Sequence, residues 1–267
     1  MPAQDNYGEE MDTQSNFEKL EAPMKPDDSD TTDDEDTIST TAQGSLFERF
    51  INEISHLRWR VLLLSCLCMF GQYFMFDFPG SFGTGPGNTI QASFEAQGKE
   101  YTQEMNNALY SAYSYPNVVL AFFGGVLFDK YLGLRRGVLL FSALVAAGAI
   151  LFYVAVVSTN YPLLVTSRVI FGMGAESLNV AQNTMTARWF GQSTISLAFG
   201  MIIAFSRGGS SLNFLISPPL AKSSGVEAAT LLGTVFCVLS ALFGIMLVVV
   251  DKRATDRGIV PPESKDS

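Results

Sequence analysis

The sequence predicts an all-α membrane protein, a polytopic bundle of six transmembrane helices, and three observations carry that expectation. Of its 267 residues, 48% are hydrophobic and only 16% charged, too few polar side chains to clothe a soluble surface. The apolar residues gather into six stretches, each long enough for the roughly 20 residues that a ~30 Å hydrocarbon core requires. The connecting loops alternate in charge. One set carries Arg58, Arg60, Lys130, Arg135, Arg136, Arg188, Lys252, Arg253 and Arg257, the other only Lys99 and Lys222. This asymmetry orients the bundle with both termini cytosolic.

The net charge of −9 describes a tail. Thirteen of the 26 acidic residues fall within residues 1–45, against only Lys19 and Lys25. That segment has almost no branched or aromatic side chains, cannot offset its ordering entropy by burial, and is expected to be a disordered acidic cytosolic tail. It lacks the apolar core of a signal peptide. Residues 46–57 follow as an amphipathic interfacial helix: Ser45 and Glu48 form a capping box, and Leu46, Phe47, Phe50, Ile51, Ile54 and Leu57 recur at helical spacing.

The first span is expected over about 61–79, and the others near 105–128, 137–157, 162–187, 194–220 and 226–250. Residues 251–267 are read as a cytosolic linker or tail. Trp59 and Trp189 mark the cytosolic edge of an interfacial belt. The Gly-rich loop at about 80–104 follows no strand and has no lysine in place, so it is not a phosphate loop. Cys66, Cys68 and Cys237 lie in apolar stretches as small hydrophobes, and His56 sits at a membrane edge, so no metal site is expected. No cofactor or nucleic-acid motif occurs, and a gradient would drive any transport. No Asn-x-Ser/Thr sequon occurs in the chain.

Between the second and third spans, Gly125-Val-Leu-Phe-Asp129-Lys130-Tyr-Leu-Gly133-Leu-Arg135-Arg136 forms a tight basic loop with one acid at a helix end. Asp129 can pair with a neighbouring helix end or basic group in one conformation, which describes a gate. The run resembles the loop signature of the major facilitator superfamily, with one extra residue between Lys130 and Gly133. Arg168-Val-Ile-Phe-Gly172-Met-Gly174, opening the fourth span, resembles the second signature of the same superfamily. A finer resemblance, to its lysosomal dipeptide uniporters, rests on Tyr113-Ser-Tyr-Pro116-Asn117, the Glu176-Ser-Leu-Asn-Val-Ala-Gln182-Asn183-Thr184 run, Trp189-Phe190 and Arg207-Gly-Gly-Ser210-Ser-Leu-Asn213. It covers about 58–253.

That resemblance implies that 58–250 is the amino-terminal six-helix half of a twelve-helix fold, completed by a carboxy-terminal half or, failing that, by a homodimer. It also implies lysosomal localisation and a glycosylated accessory subunit, which would shield a sequon-free protein. No acidic dileucine sorting signal occurs in the tail.

Charges within a hydrocarbon slab are costly and mark function by default. Glu176 lies near the middle of the fourth span and Arg207 at the middle of the fifth, the depth at which transporters bind substrate. Glu176 is a candidate for the ammonium end of a dipeptide and Arg207 for its carboxylate end, and the resemblance implies the same roles. The alternative is a structural Glu176–Arg207 ion pair. Asn183, on nearly the same helical face as Glu176, is a further substrate candidate with Tyr110, Tyr113 and Asn117, while Pro116 is expected to kink the second span. Gating candidates are Asp129, Lys130, Arg135, Arg136, Asp77 and Arg168, with snorkelling as the alternative for Arg168. Competing functions are transport of a sugar or organic anion, and a truncated, non-transporting membrane scaffold or regulator.

Overall fold

The computed structural model describes residues 56–85, 87–127 and 133–260. The expected tail, most of the interfacial helix, and Asp129 and Lys130 lie outside the described residues. Among the described residues every regular element is helical. In chain order they are α1 (His56–Phe76), α2 (Phe78–Phe82), α3 (Ile90–Glu95), α4 (Gln103–Leu127), α5 (Leu134–Val157), α6 (Tyr161–Ala187), α7 (Ile195–Ser224) and α8 (Val226–Asp256). Of the six long helices, α1, α5, α7 and α8 are long and apolar enough to cross a membrane. The other two, α4 and α6, have the length and are the more polar pair.

Local chemistry sets the helix ends. Asn160 caps α6, its side chain accepting from the Leu163 amide at 3.2 Å, with Pro162 in the first turn where a missing N–H costs nothing. Gly225, at φ 94°, joins α7 to α8 in a single residue, a conformation that a Cβ would strain. Thr159 is left-handed at φ 45° without being glycine. Lys99 offsets this by donating to its carbonyl and hydroxyl, both at 2.8 Å, and Gln97 also bonds the hydroxyl. The long first loop is thereby tied down onto the α5–α6 turn.

The expected first span is not one helix. It breaks at Asp77 and restarts as α2, with Pro79 in the new first turn. At the other end α8 runs on to Asp256, beyond the expected apolar limit, where Asp251 is buried among partners from α5 and from the residues just beyond α6.

α5 packs against both α6 and α8, α4 packs against α6, and Val61, Leu62, Cys68, Met69, Phe74 and Met75 of α1 are buried in the same core. Small residues set the approach. A Cβ on Gly148 would stand 2.7 Å from the Phe171 backbone, and one on Gly172 would stand 2.3 Å from the Tyr113 carbonyl oxygen. The obstacle at Gly172 is main chain and cannot swing aside. Gly172→Ala is therefore expected to push α4 off α6 and cost about 1–3 kcal/mol of stability, read as a lowered melting temperature in detergent. An unchanged melting temperature would count against this contact.

Candidate substrate site

Glu176 and Arg207 both fall near mid-helix, on α6 and α7, and both are exposed on the surface of the bundle. No ion pair joins them; Asp251 instead pairs with Arg135 and Arg188. Glu176 is oriented by Tyr113 of α4, whose hydroxyl donates to its Oε1 at 2.8 Å. Tyr113 is itself buried, and its ring stands edge-on to Phe76 at 4.8 Å. Tyr110, half-buried one turn earlier, packs against the same Phe76 ring at 5.5 Å. The expected acid and two of the expected tyrosines are thus brought together around the end of α1.

Asn117 lies beside them, but its Nδ2 donates back to the Tyr113 carbonyl at 2.9 Å. Its Oδ1 finds no partner, which leaves an acceptor next to the site. Pro116 sits inside α4 without ending it. Asn183 is two turns along α6 from Glu176 and donates to Asn179 at 3.3 Å, so it extends a polar stripe without reaching Glu176. Arg207 is held differently: its guanidinium carbon lies 5.6 Å from the centroid of the Tyr73 ring on α1. Tyr73 was not among the expected site residues; it read as one more aromatic in an apolar stretch.

The expected gating residues divide into two groups. Arg168 does not snorkel. It is 2% exposed, its guanidinium carbon 4.4 Å from the Phe152 ring centroid, and Nη1 donates to the carbonyls of Met75 and Phe76 at 3.2 and 3.3 Å. Those carbonyls belong to the last turn of α1, where helical partners are lacking, so Arg168 caps the helix at its break. Asp77 occupies that break. Its carbonyl accepts from Gly80 and Ser81 at 3.1 and 3.0 Å, while its carboxylate makes no cap bond.

The second group is at the opposite end of the bundle. Arg135 Nε donates to Asp251 Oδ2 at 2.7 Å, and Arg188 Nη1 reaches the same oxygen at 3.4 Å. Trp189 Nε1 donates to Oδ1 at 3.0 Å. Arg136 is exposed. Asp251, fully buried, organises this cluster and was missed, because it follows the last apolar stretch and looked like part of a polar tail.

Comparison with known proteins agrees with this architecture. The sequence profile described as Major Facilitator Superfamily matches residues 61–264. The chain is 35% identical over 243 residues to the lysosomal dipeptide transporter MFSD1 of Bos taurus, covering 86% of this chain and 50% of that protein. It is 35% identical over 207 residues to that of Homo sapiens, covering 74% of this chain and 43% of the relative. To that of Danio rerio it is 34% identical over 218 residues, covering 75% and 44%. The chain therefore spans about half the length of the curated relatives it matches. Among solved structures, its fold is similar to the in meso crystal structure of the POT family transporter PepTSo, with a TM-score of 0.59 at 16% identity, covering 79% of this chain and 40% of that one. With the profile match extending over most of the sequence and the helical bundle superposing on a transporter fold, the chain belongs to the Major Facilitator Superfamily.

Proposed function

We propose that this chain forms half of a dipeptide facilitator of the lysosomal membrane, with all six long helices crossing the bilayer and both termini cytosolic. The observation that carries the reading is the placement of Glu176 and Arg207: opposite charges near mid-helix, on different helices, exposed and unpaired. Lipid cannot surround such groups cheaply, so the face that bears them must border an aqueous cavity. Two separated charges of opposite sign fit a zwitterion. A dipeptide spans roughly 6–7 Å between its charged ends at 3.3–3.6 Å per extended residue. Glu176 takes the ammonium, steadied by Tyr113, and Arg207 takes the carboxylate through its two-pronged donor edge.

Several relatives are named lysosomal dipeptide transporters, which supports both the substrate and the compartment. Alternating access needs two halves about a central site, so the remaining cavity wall comes from a second six-helix unit. The absence of sequons suits a glycosylated accessory subunit as the shield against lumenal proteases. In liposomes, the complete gene product should move dipeptides down their gradient and leave sugars and organic anions behind. Transport of one of those solutes with no dipeptide movement would replace the substrate. No transport of any of them would favour the scaffold.

A further inference from the structure

We infer that Tyr73 of α1 is a positioning residue of the substrate site, holding the Arg207 guanidinium so that its donors stay free for the carboxylate end of a bound peptide. The inference rests on the dipeptide reading above and assigns a residue that the sequence did not single out.

Three contacts place Tyr73 there. The Arg207 guanidinium carbon lies over its ring, 5.6 Å from the centroid, inside the ~6 Å range of cation–π attraction. Just beyond that contact, within one turn after Arg207, α7 is pinned to α1. A Cβ on Gly209 would stand 2.8 Å from the Phe70 carbonyl oxygen, and Ser210 Oγ donates to the Tyr73 carbonyl at 3.3 Å. The register between Tyr73 and Arg207 is therefore fixed by close contacts to the α1 main chain within one helical turn.

The chemistry follows from how an aromatic ring holds a cation. Arg207 is exposed, and a free arginine would lose rotamer entropy on binding substrate. A carboxylate in the place of Tyr73 would immobilise it, but would consume its donors and neutralise it. The face of the Tyr73 ring attracts the cation through its quadrupole without taking up its N–H donors. The five N–H donors then remain for a substrate carboxylate, on a side chain already partly ordered. Such a residue matters only for ligands that bring a carboxylate to Arg207.

The test uses the complete gene product in liposomes, with alanyl-alanine and its carboxy-terminal amide as competing ligands. The readout is the ratio of their apparent affinities. Tyr73→Leu is expected to cut the preference for the free acid by about 3- to 30-fold, spanning exposed to desolvated cation–π contacts. It should leave the affinity for the amide near that of the parent. Tyr73→Phe, which keeps the ring, should keep the preference within about twofold. Equal losses for both ligands would show a packing role and overturn the inference, as would an unchanged ratio in Tyr73→Leu. A parent protein that binds dipeptides without distinguishing acid from amide would remove the Arg207 assignment and this inference with it. A parent that binds neither ligand would remove the dipeptide reading as a whole.

Discussion

Replacing either Glu176 or Arg207 by glutamine is expected to abolish measurable dipeptide binding while leaving the protein folded. Each side chain would make charge-assisted hydrogen bonds to one end of the peptide, worth about 1.5–3 kcal/mol apiece. With two such bonds at the Arg207 end, Arg207→Gln should weaken affinity by at least about 100-fold, and Glu176→Gln by about 10- to 150-fold. The folded state has little to lose. Both groups are exposed and no ion pair joins them, and glutamine at 176 still offers Oε1 to the Tyr113 hydroxyl. Substitutions of this kind usually stay within about 0.5 kcal/mol.

A structural ion pair predicts the reverse pattern: single mutants destabilised by a stranded charge, and a double mutant that recovers. Melting temperatures and dipeptide affinities of both singles and the double separate the two. Near-normal binding in the singles would sink the site assignment, and recovery of stability in the double would reinstate the ion pair.

What the sequence disclosed was decided by short-range chemistry. Apolar runs of about 20 residues are local signals, and the structure places its long helices over them. The break after α1 was not anticipated: the first span was expected to run through Asp77 to Pro79, whereas the chain restarts at Phe78. The polar content of α4 and α6 keeps them below the composition of a membrane span, yet it is there that Tyr110, Tyr113, Asn117 and Glu176 cluster. The composition weakens where the candidate site is.

The residues whose setting could not be anticipated owe it to distant partners. Arg168 looked able to snorkel when its depth was counted from a span end. What buries it is the broken end of α1, 92 and 93 residues away, together with the Phe152 ring. Tyr73 carries no local mark at all, because its interest lies in an arginine 134 positions later. Asp251 pairs with Arg135 across 116 residues; with lysine and arginine directly after it, it resembled any solvated helix end.

Asp251→Ala is expected to cause the largest loss of stability of any single change at the basic end of the bundle. The carboxylate is fully buried, and its two oxygens accept from Arg135, Arg188 and Trp189 at 2.7, 3.4 and 3.0 Å. It thus ties α8 to the start of α5 and to the residues just beyond α6. Arg135 adds a bond to Thr255 Oγ1 at 2.6 Å, which extends the clasp by one turn of α8. Truncation to alanine leaves two guanidinium groups, only 22% and 17% exposed, beside a cavity with no counter-charge. Removing one partner of a buried pair costs about 3–5 kcal/mol. The lower half of that range is expected here, because both arginines retain some contact with water and Arg188 has further interactions. Asp251→Asn should fall between alanine and the parent, since its amide oxygen can still accept one donor. Combining Asp251→Asn with Arg135→Gln removes acid and base together, so the double mutant should be more stable than the sum of the singles by about 1 kcal/mol or more. Thermal unfolding of the parent and these four variants in one detergent reads all of this. A melting temperature unmoved by Asp251→Ala, or strictly additive singles, would mean that the cluster holds nothing together.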